Sequence, residues 1–155
     1  MYNNPGPRRP VPAVCRLLSS NVRGLAGNLS DLTVASSQYD ILLCSETLVS
    51  DIRHVSGFLI PGFGSRVLLC RGKMPRARGM AAYVRDGYGA FCQLKFKCGC
   101  CEMMGFRICG VRQNIYVHSL YRNPDLDDRI IDCLLASMAA VQAENVRDSF
   151  LFVVI

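Results

Sequence analysis

Two apolar strand-like runs flank one helix-like run near the start of the chain, and each strand run ends on a single polar residue. This unit limits the possible folds more than any other stretch. Residues 14–22 read as a strand. Within 24–38, Leu25, Leu29, Leu32 and Ala35 fall close to helical spacing, which predicts a helix starting near Gly27-Asn28. Residues 40–45 are almost continuously apolar, as expected for a strand covered on both faces. A strand, a crossover helix and a second strand make a right-handed unit whose simplest form has parallel strands. Sequence leaves the sheet order open, so other strands could insert between these two. The polar residues are Asn21 and Glu46. A carboxylate where a buried strand runs out is costly unless it is paired, hydrogen-bonded or bound to a metal. Glu46 is therefore a candidate ligand for a hard divalent cation, with Asn21 beside it. Alone, Glu46 reads as a surface residue and Asn21 as a turn residue before Gly24. Together they occupy the same end of neighbouring elements, where open α/β sheets bind ligands.

The rest of the chain is rich in strands. Residues 50–64 read as a loop with a Pro61-Gly62 turn, 67–70 as a short strand and 71–78 as a basic loop. Strands are expected at 79–85, 90–96, 102–111 and 115–121, with turns at Asp86-Gly87 and Gln113-Asn114. Asn123-Pro124-Asp125 then opens a helix: Asp125 suits its cap, Asp127 and Asp128 favour its dipole, and Ile130, Ile131, Leu134, Leu135, Met138 and Val141 form one apolar face. Residues 150–155 look like another buried strand. A sandwich of sheets with helices outside explains this α/β pattern better than a purely doubly wound sheet.

The chain has 155 residues, 50% of them hydrophobic and 19% charged, which suits one domain with a sizeable core. Residues 1–13 are polar and Pro-rich and are expected to form a disordered arm. The net charge of +6 favours a polyanionic partner such as nucleic acid. Nine cysteines are an odd number, and most sit inside apolar runs where a free thiol acts as a small hydrophobe. With no signal-peptide-like start and no apolar stretch long enough to span a bilayer, an intracellular, reducing setting is expected, without a membrane partner.

Three further groups of residues matter for chemistry. Tyr121-Arg122-Asn123-Pro124 marks a third strand end, where a phenol and a guanidinium could face a phosphate or simply pack in a turn. Arg66, Arg71, Lys73, Arg76, Arg78, Arg85, Lys95 and Lys97 cluster in the middle of the chain, either as a solvated surface or as a phosphate-tracking one. Cys98 and Cys101 are spaced for half a zinc site, but no second pair follows, which favours a hairpin connection with reduced thiols. His54 and His118 read as structural or surface residues.

Four segments in order carry a resemblance: Asn21-Val22-Arg23-Gly24-Leu25, residues 40–47, residues 79–87 and Leu120-Tyr121-Arg122-Asn123-Pro124. The chain resembles the endonuclease/exonuclease/phosphatase superfamily, and within it the apurinic-type endonuclease domain of non-LTR (LINE-like) retrotransposons. The resemblance implies the N-terminal half of a four-layer, DNase I-like α/β sandwich over 14–155. It implies a phosphodiesterase dependent on Mg (or Mn), with no other small-molecule cofactor, acting on DNA in the nucleus. Asn21 would organise the metal and nucleophile site, Glu46 would bind the metal, and Tyr121 would contact the scissile phosphate. Arg76, Arg78, Arg122 and Asn123 would contact DNA.

Departures from the family pattern accompany the match. Val154-Ile155 stand where the family's Gly-Asp-x-Asn would begin, and its later Ser-Asp-His has no counterpart here. The expectation is a truncated domain with little or no catalysis of its own, because its base and transition-state stabiliser are missing. Residues 150–155 would then leave a central strand open on one edge. A non-catalytic nucleic-acid-binding module and a phosphatase-type member of the superfamily are the alternatives.

Overall fold

A computed structural model describes residues 15–51, 53, 57–70, 78–97, 101–109, 114–122, 132, 135–136, 139 and 149–154. β1 (Leu17–Asn21) leads into α1 (Leu25–Ser36), which returns to β2 (Ile41–Ser45). β1 and β2 are parallel neighbours, from Leu17 opposite Ile41 to Asn21 opposite Ser45, with no strand inserted. The helix starts earlier than its apolar spacing suggests. Gly24, at φ 114°, makes the turn that a side chain would resist, so Leu25 is already helical and buried. The Asn28 amide fastens this turn by donating to the carbonyls of Val22 and Gly24 at 2.8 and 3.0 Å.

β3 (Ser65–Leu69) and β4 (Met80–Val84) complete a first sheet in the order β1-β2-β4-β3, with β4 antiparallel to both of its neighbours. β5 (Gly89–Lys97), β6 (Cys101–Cys109), β7 (Ile115–Arg122) and β8 (Ser149–Val154) form a second sheet in that order. β7 and β8 are parallel, so a crossover must join them. The helix expected after Asn123 falls in that connection. Its described residues, Asp132, Leu135, Ala136 and Ala139, are helical. Asp125, Asp127, Asp128 and the rest of its apolar face lie outside the described residues, as does the N-terminal arm.

Strand alternation sorts the apolar residues into two cores. Leu42 and Cys44 of β2, with Ala81 and Tyr83 of β4, meet Leu25 and Leu32 of α1. Ile41 and Leu43, with Met80, Ala82 and Val84, face Met104, Phe106, Ile108, Val117 and Tyr121 of the second sheet. β2 and β4 are thus covered on both faces, and every residue in them is buried. This is why their sequences lack the polar alternation of a half-exposed strand. Helix, sheet and sheet therefore stack as layers. Among the described residues, no helix is long and apolar enough to cross a membrane.

One member of the basic cluster has a structural role that its sequence position concealed. Arg85 follows β4 at the end of the sheet remote from Asn21 and Ser45. Its guanidinium donates to the carbonyls of Ser36 (2.5 Å) and Tyr39 (2.6 Å) just past α1, lies 3.4 Å from the Asp40 carboxylate and sits over the Phe63 ring. These partners take it out of any phosphate-tracking surface. Arg85→Ala should lower stability by about 2 kcal/mol, since charged hydrogen bonds to helix-end carbonyls and a ring contact are lost together. Arg85→Lys should recover only part of this, because a single ammonium cannot reproduce the planar fork. Urea unfolding of the three proteins checks both expectations.

Candidate functional site

Beyond the ends of β1 and β2 the two chains continue side by side. The N–H groups of Val22, Gly24 and Leu25 donate to the carbonyls of Ser45, Glu46 and Thr47 at 3.0, 2.8 and 2.8 Å. The pairing holds the two loops together, but it bends them sharply. Arg23, Glu46 and Leu48 all adopt positive φ, at 45°, 53° and 57°. Each such residue costs on the order of 1 kcal/mol, and strain of this kind gathers at binding and catalytic sites. The turn at Glu46 brings its carboxylate back over the sheet ends.

The structure brings together three of the residues singled out from sequence. The Tyr121 hydroxyl, from the second sheet, donates to Glu46 Oε1 at 2.7 Å across 75 positions of chain. The Asn21 carbonyl oxygen accepts from the Arg23 N–H at 3.2 Å. The Asn21 side chain also acts on the Glu46 carboxyl, after Tyr121 in strength. Tyr121 and Asn21 hold the Glu46 carboxyl below its ordinary range, and the nearby charges of Arg78 and Arg23 push the same way. Burial, and then the carboxylate it touches, push the Tyr121 phenol up to about 12, so it remains a hydrogen-bond donor at neutral pH.

The remaining sequence candidates sort differently. Arg78 is exposed two residues before β4 and contributes its charge to Glu46. Arg122 directly follows Tyr121 on β7, so strand alternation carries its side chain to the opposite face of the sheet. Arg76 and Asn123 lie outside the described residues, as do His54, Cys98 and Cys100. His118 is buried within β7, and burial pushes its imidazole down, as befits a structural histidine. Cys44 is buried in β2, and its thiol is pushed up to about 12, which makes it unreactive.

Two residues at the site escaped the sequence reading. Arg23 reads as an ordinary loop residue, and only the turn at positive φ brings its charge to Glu46. Glu102 stands at the start of an apolar strand, yet it is 1% exposed and lies directly across β6 and β7 from Tyr121. A lone carboxylate inside an apolar strand was the available signal.

The donors at Glu46 and Asn21 are hard oxygens, few in number, with Glu46 half-buried and Asn21 exposed. They fit a cation such as Mg²⁺, which keeps most of its water and takes one or two protein carboxylates. Among the described residues, no three His, Cys, Asp or Glu side chains gather into a metal-holding group. Any cation here would therefore rely on water, substrate or other oxygen donors for the rest of its coordination.

No family model matches the sequence, and no curated protein matches it. Solved structures do match. TDP2 of D. rerio, in a complex with a single-strand DNA product, superposes with a TM-score of 0.59 at 12% identity, covering 89% of this chain and 58% of that one. The endonuclease domain of TRAS1, a telomere-specific non-LTR retrotransposon, superposes with a TM-score of 0.54 at 15% identity, covering 90% of this chain and 57% of that one. The AP endonuclease LMAP of Leishmania major has a TM-score of 0.52 at 16% identity, covering 67% of this chain and 39% of that one. The fold is therefore the DNase I-like α/β sandwich that these structures share. The chain spans less than two thirds of the length of each of these structures.

Tyr121→Phe tests the geometry directly. With its strongest donor gone, the Glu46 carboxyl should titrate higher, nearer its ordinary value of 4.5. A depressed folded value contributes stability above the ordinary carboxyl value, and that stability is lost as pH falls through the folded value. The substitution should therefore cost about 1 kcal/mol at neutral pH and progressively less under acid conditions. NMR titration of the Glu46 side-chain carboxyl, alongside urea unfolding at several pH values, measures both.

Proposed function

We propose that this chain carries the metal-side part of a phosphodiesterase site that acts on DNA. Glu46, Asn21 and Tyr121 are the residues of that site, and target-site nicking in a LINE-like retroelement is the ancestral role. The observation that supports it most is the convergence of these three side chains at one end of two stacked sheets. They come from strand ends far apart in sequence, in a fold shared with nucleases. The sequence resemblance had named the same three positions.

In this reading Glu46 and Asn21 hold a hydrated Mg²⁺ or Mn²⁺, whose chemistry is to neutralise phosphate charge and acidify a bound water. Glu46, ionised at neutral pH in any case, is stabilised in that form by Tyr121 first and then by Asn21. The Tyr121 phenol gives its one hydrogen to Glu46; on this reading it would turn that hydrogen to the scissile phosphate once substrate is bound. Arg78, with Arg76 on the adjoining basic loop, supplies positive charge to the DNA backbone. Asn123, next in the chain after β7, extends the contact, whereas Arg122 faces the other side of the sheet and is left out of it. Such contacts position DNA without reading its sequence.

A second reading, a DNA-binding module without catalysis, is favoured by the sparse donor set among the described residues. On the first reading the chain by itself turns over slowly or not at all, since the resemblance supplies no base or histidine. The two readings part on cation binding. The first expects Mn²⁺ to bind and Glu46→Ala to abolish binding; the second expects no such site. Both expect DNA affinity that falls steeply with salt. Arg78→Ala should lower the slope of log affinity against log salt by about 1. Calorimetric Mn²⁺ titration, filter binding to duplex DNA over a salt series and a plasmid-nicking assay test this. If Glu46→Ala leaves Mn²⁺ binding intact, the metal-side reading is wrong.

A further inference from the structure

Glu102 is the deepest carboxylate among the described residues, and an unusual choice for its position. The residues of β6 that face the first sheet are otherwise Met104, Phe106 and Ile108, all buried in the core between the sheets. An apolar side chain at 102 would continue that core without the several kcal/mol that desolvating a carboxylate costs. The carboxylate is instead held by backbone of the opposite sheet. Its Oε2 accepts from the Arg78 N–H at 2.8 Å, and its two oxygens accept from the Gly79 N–H at 3.0 and 3.2 Å. Gly79 is at φ 82°, a conformation other residues resist, so the chain there is bent to present both N–H groups to one acceptor.

The same two residues hold the Glu46 loop from behind. The carbonyl of Gly79 accepts the Thr47 N–H at 3.1 Å, and that of Arg78 accepts the Leu48 N–H at 2.8 Å. Thr47 and Leu48 directly follow Glu46, and both Glu46 and Leu48 are at positive φ, so this loop does not hold its shape by local preference. Tyr121 is the direct cross-strand partner of Glu102 and closes the circuit by donating to Glu46. From Glu102 the connections run through residues 78–79 to residues 47–48, then to Glu46, and back through Tyr121.

We propose that Glu102 is a positioning residue that holds the strained Glu46 loop at the distance Tyr121 requires, by clamping residues 78–79 from the second sheet. It does not touch the cation or the phosphate. Its functional consequence rests on the reading of Glu46 as a cation ligand, whereas its structural action does not.

Glu102→Gln keeps the shape but turns an amide donor toward the N–H groups of Arg78 and Gly79. Amide hydrogen exchange, followed by NMR, should then show protection at Thr47 and Leu48 falling by about tenfold or more. Protection at Leu42 and Leu43, earlier on β2, should stay as in the wild type. Mn²⁺ affinity should fall by about tenfold, the scale typical for residues that orient a metal ligand. A uniform loss of protection along β2, or none at Thr47 and Leu48, would overturn the proposal. A selective loss with unchanged Mn²⁺ affinity would overturn its functional half. If the wild type itself binds no Mn²⁺, the cation reading of Glu46 fails and exchange alone decides the role of Glu102. Should Glu102→Gln not fold, Glu102→Met should fold by continuing the apolar face and show the same selective loss. If neither folds, Glu102 is a determinant of the sandwich and not a positioning residue.

Discussion

Burial of β2 and β4 on both faces is the constraint on which the rest of the structure depends. One face meets α1 and the other meets the second sheet, and together they place Leu42, Leu43, Ala81 and Ala82 beyond the reach of water. Apolar burial of this kind is not directional. Direction comes from the strands, whose alternation sends neighbouring residues to opposite cores. Once the two sheets stack, the loops at one end of the first sheet must lie beside the end of β7. The site is a consequence of that stacking, since neither sheet contains it alone.

Polar groups at that end are organised in a way the apolar cores are not. Glu46 is held by donors from both sheets, while Glu102, deeper in, accepts from the backbone N–H groups of Arg78 and Gly79. The two carboxylates divide the work by depth. The shallow one is half open and could reach a ligand. The deep one is enclosed and reaches only the chain behind the first. At the far end Arg85 does comparable work, joining the end of α1, Asp40 and Phe63. Strained backbone appears at the Glu46 end at Arg23, Glu46 and Leu48, the only non-glycine residues at positive φ among those described.

Much of the fold was legible. The apolar run at 40–45 predicted a strand buried on both faces, because full burial leaves no reason for polar alternation, whereas 79–85 was readable only as a strand. The strand–helix–strand opening predicted a parallel pair as the simplest crossover unit but left open whether another strand lay between the two. Asn21, Glu46 and Tyr121 could be picked out because each closes an apolar run with a group that needs a partner. Arg85 was misread because charge clustered in sequence says nothing about which end of a strand a side chain occupies. Glu102 was missed because its partners are main-chain N–H groups of residues 78 and 79, which have no signature in side-chain identity.

Which segments become strands and which polar residues stand at their ends were legible in the order of residues alone. These are local matters of periodicity, turn chemistry and the cost of burying charge. The tertiary structure alone decided that Tyr121 meets Glu46, that Arg23 and Arg78 share its field, and that Glu102 reaches across to residues 78–79. Those outcomes depend on the register of β6 against β7 and on how two sheets stack. Both are set by packing across the whole core, and no short stretch of residues encodes them.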